Sequence, residues 1–272
     1  MRGWAGTRSR ISITSTSSRV GHSMSRNRPI GIIVVVTVML GAAVVSTLAV
    51  AGRTRGAERI VVASGDDRLP NQTTADWVTY ADYVVVATPV GEREDAPNLN
   101  EVEGDSGLIL RDVTMRVDEV LWSRPGASVA APRKFMWKAD GWVFRNGDLS
   151  DRVKMAGEDQ PRIELGHTYI MAIQWQQARC TPGDYVPAQW RGLGADSTLP
   201  YDAGVIGQGE LEGRSQSIEQ ARDRMQPAGI SLEDQLLGRN AAALRQTLLD
   251  AQPIPPSEQQ QFGPPPDTTK CG

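Results

Sequence analysis

The sequence predicts an α+β protein: a single N-terminal transmembrane helix, then a small antiparallel β-barrel or sandwich with C-terminal helices. Three observations carry this. Residues 29–52 contain no charged side chain. Between residues 60 and 212, short β-branched or alternating segments are separated by turns rich in Gly, Pro and Asn. Beyond residue 213, leucines return near helical spacing. With 272 residues, 40% of them hydrophobic, the chain is long enough to bury a substantial core. Two cysteines and two histidines exclude a disulfide-dense miniprotein and most structural zinc modules, so neither a metal nor a cofactor is expected.

Residues 30–51 span about 33 Å as a helix, against a hydrocarbon core of about 30 Å. Their Val, Ile, Leu and Ala side chains strand nothing polar in lipid. The six basic residues before this run are Arg2, Arg8, Arg10, Arg19, Arg26 and Arg28, and the first acidic residue is Glu58. That asymmetry predicts a cytoplasmic N-terminus and an extracytoplasmic C-terminal region on a cell membrane. An alternative is a cleaved signal: Ala49, Val50 and Ala51 have the small-x-small pattern of a signal-peptidase site, which would release a secreted protein after Ala51. Translation from Met24 would shorten the leader to a conventional n-region. Beyond the run, 23 basic residues face 32 acidic ones, a balance of −9. Such a surface repels phosphate backbones, so no nucleic-acid partner is expected.

The expected organisation is a cytoplasmic arm at 1–29, the anchor at 30–52, a stalk at 53–72, a β domain at 73–212, a helical segment at 213–252 and a tail at 253–272. The stalk holds one short strand at 60–63. Residues 73–81 form a short helix capped by Thr74, with Trp77, Val78 and Ala81 on one face. Residues 82–90, DYVVVATPV, form a buried strand, and the acidic stretch 91–107 a loop. Residues 111–122 alternate: Val113, Met115 and Val117 share one face. The phase slips near Glu119, which calls for a bulge or a strand end there. A turn at 124–126 leads to a strand at 134–139. A turn and a second strand follow at 140–144, then a tight turn at Asn146 and Gly147. Residues 167–176 are another strand, with Tyr169, Met171, Ile173 and Trp175 on one face. The last strand lies at 204–209. Helices follow at 215–225 and 231–251, the second opening on Ser231 and carrying Leu232, Leu236, Leu244 and Leu248. Six of the last 20 residues are Pro, so the tail is extended.

The helix ending in Ala81 and Asp82, the VVV strand after it, the alternating strand ending VDEVLW and the strand entry from Leu165 to Tyr169 together resemble a bacterial extracytoplasmic pattern. It is similar to the OB-like barrel of the tissue-inhibitor-of-metalloproteinase type. The resemblance implies an OB-like fold over roughly 100 residues and rests on packing positions. Inhibitors of that type act through an N-terminal Cys exposed by signal cleavage; here Gly52 or the membrane helix stands there, so protease inhibition does not carry over. RDVTMRVDEVLW, LGHTYIMAI and LPYDAGVIGQGE also resemble segments of uncharacterised actinobacterial membrane-anchored proteins.

The chemistry available outside the membrane is sparse. His167 is the only histidine there, so any Ser-His-Asp or Cys-His device must use it. Neither G-x-S-x-G nor H-E-x-x-H occurs. Cys180 and Cys271 are the only cysteines; on the oxidising side they are expected to pair, closing a ~90-residue loop worth about 4–5 kcal/mol. A Cys180 nucleophile served by His167 is the alternative. Trp137, Trp142 and Trp190 sit in Gly- or Pro-bearing surroundings and are the candidate binding residues, with His167. Trp77, Trp122 and Trp175 are assigned to the core. Gly207, Gly209 and Gly213 lack the strand–turn–helix setting of a dinucleotide fingerprint and read as turn glycines. Asp202, Glu210 and Glu212 are the one carboxylate group that glycoside chemistry would need. The expected function is non-enzymatic: binding or scaffolding at the cell envelope, with an envelope protein or glycan as partner. The alternative is an envelope hydrolase using His167.

Overall fold

The computed structural model describes residues 58–259, excepting 66, 68, 182, 183 and 226–230. The arm and the apolar run at 30–52 lie outside the described residues. So do Cys271 and the Cys180 side chain, and with them the disulfide pairing. Among the described residues no helix is long and apolar enough to cross a membrane.

The chain runs β1 (Ile60–Ala63), α1 (Thr74–Tyr80), β2 (Tyr83–Glu94), α2 (Leu99–Glu103), β3 (Ser106–Ser123), β4 (Lys134–Arg145), β5 (Asp148–Gly157) and β6 (Tyr169–Gln176). Short strands follow: β7 (Arg179–Thr181), β8 (Asp184–Val186), β9 (Gln189–Gly192), β10 (Thr198–Pro200), β11 (Gly209–Leu211) and β12 (Arg214–Gln216). Three helices come last: α3 (Ile218–Arg224), α4 (Leu232–Leu236) and α5 (Ala241–Asp250). The architecture is mixed α+β. One eight-stranded sheet has the order β1-β5-β4-β3-β2-β6-β10, with β9 also on β6. All its pairings are antiparallel except β1 with β5. β7–β8 and β11–β12 are separate ribbons.

β2 and β6 sit centrally and are buried on both faces, because their apolar runs are unbroken. Val84, Val86, Ile170 and Ala172 pack with Trp77 of α1, Leu232 and Leu236 of α4, and Leu244 and Leu248 of α5. On the other face Tyr83, Val85, Ala87, Tyr169, Met171 and Ile173 meet Val113 and Met115 of β3, Phe135 of β4 and Trp190 of β9. Residues of β4 and β9 share this second core although three strands separate them, so the sheet curls over it. A Cβ built on Gly192 of β9 would sit 2.8 Å from the Trp137 ring of β4. Yet no ladder joins β4 to β9 among the described residues, so the expected barrel does not close. Gly192 pairs with Ile173 of β6, and Trp137 and the Ser197 hydroxyl fill the space beside its Cα.

Several expectations are corrected. Thr73 caps α1, not Thr74: its hydroxyl accepts from the Asp76 amide at 3.1 Å while Asp76 accepts from the Thr73 amide at 2.8 Å. The loop expected at 91–107 is the end of β2, the short α2 and the start of β3. No turn breaks residues 140–144. β4 continues through a bulge opposite Ile109 and Arg111, where Gly141 lies so close to the Ile109 carbonyl that a Cβ would be 2.0 Å from its oxygen. The strand expected at 204–209 is a 3₁₀ turn (Asp202–Gly204), and the strand begins at Gly209. The helix at 215–225 starts at Ile218, after β12. The long final helix is two, interrupted by Gly238 at φ 79°. The bulge near Glu119 is present: β2 pairs Val86 with Glu119 and Ala87 with Val117, with register shifts between Val84 and Val85 and between Val86 and Ala87.

Candidate functional site

One concavity is a cleft of about 590 Å³. Three connections and two helices build it: the segment after β1, the turn after β5, the 3₁₀ turn before β10 (Ala195–Ser197), the end of α3 and the start of α4. Backbone amides and one side-chain amide hold these pieces together. Asp67 accepts from the Asn71 side-chain amide and from the Ala195 amide, both at 2.8 Å. Asn71 in turn accepts from the Asp196 amide at 2.8 Å. The Leu232 amide donates to the Gln72 carbonyl at 2.7 Å, docking α4 onto the segment before α1. The Glu158 amide donates to the Ala63 carbonyl at 2.9 Å.

The cleft is acidic. Asp67, Glu158, Asp159, Asp196, Glu233 and Asp234 line it, and Arg224 is the one cation among its described residues. Burial raises the Asp196 carboxyl, helped by Asp67, Asp159 and Asp234 and opposed by Gln72. Burial likewise pushes Glu233 up to about 7, with Arg224 opposing and Asp234, Asp196 and Asp159 adding to the rise. Among the described residues, no three His, Cys, Asp or Glu side chains converge closely enough to hold a metal ion.

His167 lies elsewhere, at the entry to β6. Its Nδ1 is 2.6 Å from Asp202 Oδ2, and the Thr168 amide donates to the other Asp202 oxygen at 2.8 Å. A carboxylate only accepts, so the proton of this bond sits on Nδ1. The two side chains are 20% and 26% exposed. This is a base with its orienting carboxylate. Among the described residues no hydroxyl or thiol is hydrogen-bonded to the ring.

The expected carboxylate group does not assemble into one site. Asp202 serves His167. Glu212 accepts from the Asp159 amide at 2.9 Å. Glu210 is 1% exposed and takes four donors: the amides of Arg162, Ile163 and Gly213, and the Tyr169 hydroxyl at 2.8 Å. Burial raises its pKa against those bonds. Burial also raises Tyr169, whose hydroxyl accepts from the Glu164 amide. Beside it, the fully buried Arg111 donates to Glu92 and to the carbonyls of Asp140, Arg162 and Ile163. Arg162 donates to Glu164 and to the carbonyls of Met155 and Gly141. These groups are satisfied within the protein and act as struts.

The tryptophans are not brought together as a binding surface. Trp190 is 7% exposed and meets Tyr83 and Trp175 edge-on at 5.7 and 5.2 Å. Trp137 is half-buried, edge-on to Phe135. Trp142 is half-buried beneath the guanidinium of Arg152 at 4.2 Å, with Arg162 at 5.4 Å. Trp77 is wholly buried, while Trp122 and Trp175 pack at the core margins. Gly207, Gly209 and Gly213 all have positive φ, as turn glycines do.

Sequence reasoning missed the cleft. Its carboxylates come from four separate segments, and only the adjacent pairs at 158–159 and 233–234 leave any trace in the sequence. No protein-family model matches the chain, and neither does any curated protein or solved structure.

Proposed function

We propose that the chain is a membrane-anchored, extracytoplasmic binding protein of the cell envelope, with the acidic cleft as its binding surface. The observation that carries this reading is the concavity of about 590 Å³ lined by carboxylates from four segments. The uncharged run at 30–52, with six arginines before it and Arg53, Arg55 and Arg59 after it, supports an anchor whose more basic N-terminal side faces the cytoplasm.

The test uses the full chain with a C-terminal tag, cross-linked in intact cells. A membrane-impermeant reagent labels the tag, and Asp234→Lys reduces recovery of the cross-linked partner at least fivefold. Equal recovery by wild type and variant sinks the reading. The His167–Asp202 contact of 2.6 Å favours a second reading, an envelope hydrolase. That reading requires ester or amide hydrolysis by the purified chain, abolished by His167→Ala.

A further inference from the structure

Residues 209–224 stand apart from the rest of the fold. They comprise the β11–β12 ribbon and α3, and among the described residues the ribbon is not laddered to the eight-stranded sheet. Their buried apolar side chains are Leu211 and Ala221, and neither belongs to the two cores built on β2 and β6. At its margins the unit touches β1 and the break between α4 and α5: a Cβ built on Gly213 would sit 3.0 Å from Ile60, and one on Gly238 would sit 3.8 Å from Ile218. With so little apolar burial, the unit depends on its polar contacts.

Most of those contacts fall on one short stretch between β5 and β6. Glu210 accepts from the Arg162 amide at 3.1 Å with one carboxylate oxygen and from the Ile163 amide at 3.2 Å with the other. The Tyr169 hydroxyl adds a bond of 2.8 Å. Glu212 accepts from the Asp159 amide at 2.9 Å, and its own amide donates to the Gln160 carbonyl at 3.1 Å. Arg224, at the end of α3, lies 3.8 Å from Asp159.

The stretch so held is strained. Ile163 is 2% exposed and has φ 62°, a left-handed conformation that β-branched residues rarely adopt. It is fixed from both sides. Its amide donates to Glu210, while its carbonyl and that of Arg162 accept from Nη2 of Arg111. Asp159 and Glu212, joined across the contact, also have positive φ, 54° and 51°. Strain of this kind persists only while surrounding contacts over-determine it, so it favours release once one of them is lost.

The same residues border the cleft. Asp159 and Gln160 line it on the β5 side, and Ala221, Arg224 and Met225 line it on the α3 side. Moving α3 away from the β5 turn widens it. We propose that residues 209–224 are a flap on the acidic cleft, latched shut by the hold of Glu210 and Glu212 on residues 159–163. Gly209, at φ 134°, is its hinge at the β11 end. A partner that needs the wider cleft selects the open state, and its apparent affinity follows the fraction of molecules already open. This deepens the binding-protein reading and, for the role in the cleft, rests on it.

The experiment is amide hydrogen exchange of the full chain in detergent, read by mass spectrometry of its fragments. Fragments within 209–224 are expected to exchange at least about 100-fold faster than β2 and β6. The amides of Asp159, Arg162 and Ile163 exchange with them, although Ile163 is buried, because their acceptors leave with the flap. Glu212→Met keeps an unbranched side chain but removes the acceptor. It accelerates both regions about tenfold or more and leaves Val84–Val86 and Ile170–Ala172 within about twofold of wild type. Glu210→Met acts in the same direction, and Glu212→Met supplies the readout if that variant fails to fold. Exchange of 209–224 at the rate of β2 and β6 overturns the proposal. So does a fragment at 158–163 that stays protected while the flap exchanges, or an unchanged rate in Glu212→Met. In the cross-linking assay Glu212→Met raises recovery of the partner about threefold or more, and unchanged recovery overturns the gating of the cleft. If the exchange test fails while Asp234→Lys still loses the partner, only the flap falls and the binding-protein reading stands. If the exchange test succeeds while Asp234→Lys recovers the partner as wild type does, the binding-protein reading falls and the gating role with it.

Discussion

Arg111 and Arg162 are each 1% exposed, yet each nitrogen of their guanidinium forks is answered by a carbonyl or a carboxylate. Together they tie β3, β4, β5 and the segment before β6 through main-chain oxygens, which no apolar side chain can do. Replacing Arg111 with Ala strands three buried carbonyls and leaves Glu92 without its donor. The expected loss is about 3–5 kcal/mol of unfolding free energy, read as a lower urea midpoint at unchanged m-value. Arg111→Lys restores little, because one ammonium cannot span the same acceptors. At this scale the sequence is partly legible. His167 stands out as the lone histidine beyond the uncharged run at 29–52, but its partner Asp202 is 35 residues away and is identified only by the fold. Arg111 falls at the start of the alternating strand and looks like any charged residue there. Its burial depends on carbonyls presented by other strands.

Elements follow local chemistry where that chemistry is self-contained. The reciprocal bonds of Thr73 and Asp76 define the start of α1, and the Trp77 indole donates to the Asn71 carbonyl at 2.8 Å just upstream. Thr73→Ala is expected to cost about 1 kcal/mol in thermal unfolding, and Thr73→Ser close to nothing. The Asn146–Gly147 turn is equally local. Both residues have positive φ, 57° and 64°, as a two-residue hairpin between β4 and β5 demands. β5 itself was not legible: DLSDRVKMAG lacks apolar alternation at its start, where its residues are exposed, and it becomes a strand because β4 and β1 flank it. The final helix breaks at 237–240 for a long-range reason. The Gly238 amide donates to the Ile206 carbonyl at 2.9 Å, and Gly207 lies so close to Leu237 that a Cβ there would be 2.1 Å from its side chain. Leucine spacing alone carries no record of that contact.

The two cores share β2 and β6, and this sets the distribution of stability over the whole molecule. Hydrogen exchange is expected to be slowest at Val84–Val86 and Ile170–Ala172, whose amides lie in ladders with apolar packing on both faces. β1, on the sheet edge with one parallel ladder, and the β11–β12 ribbon are expected to exchange at least 100-fold faster. Equal protection at β1 and β6 would contradict a fold centred on the shared strands.

The sequence by itself determined what depends on near neighbours along the chain. The uncharged run at 29–52, the runs that became β2, β3 and β6, the capped start of α1 and the tight turn after β4 all follow from periodicity, capping and backbone sterics within a dozen residues. Tertiary structure decided whatever depends on desolvation. The sheet curls over its second core and brings Trp137 of β4 beside Gly192 of β9 without a ladder between the two strands among the described residues. Trp190 is drawn into the core, and Glu210 is sealed among four donors. Carboxylates from four separate segments come to face one another around a cleft. A carboxylate on a flexible chain is solvated by water and nearly indifferent to its neighbours. Only when the fold removes that water do its charge, its partners and its pKa become properties of the assembled site.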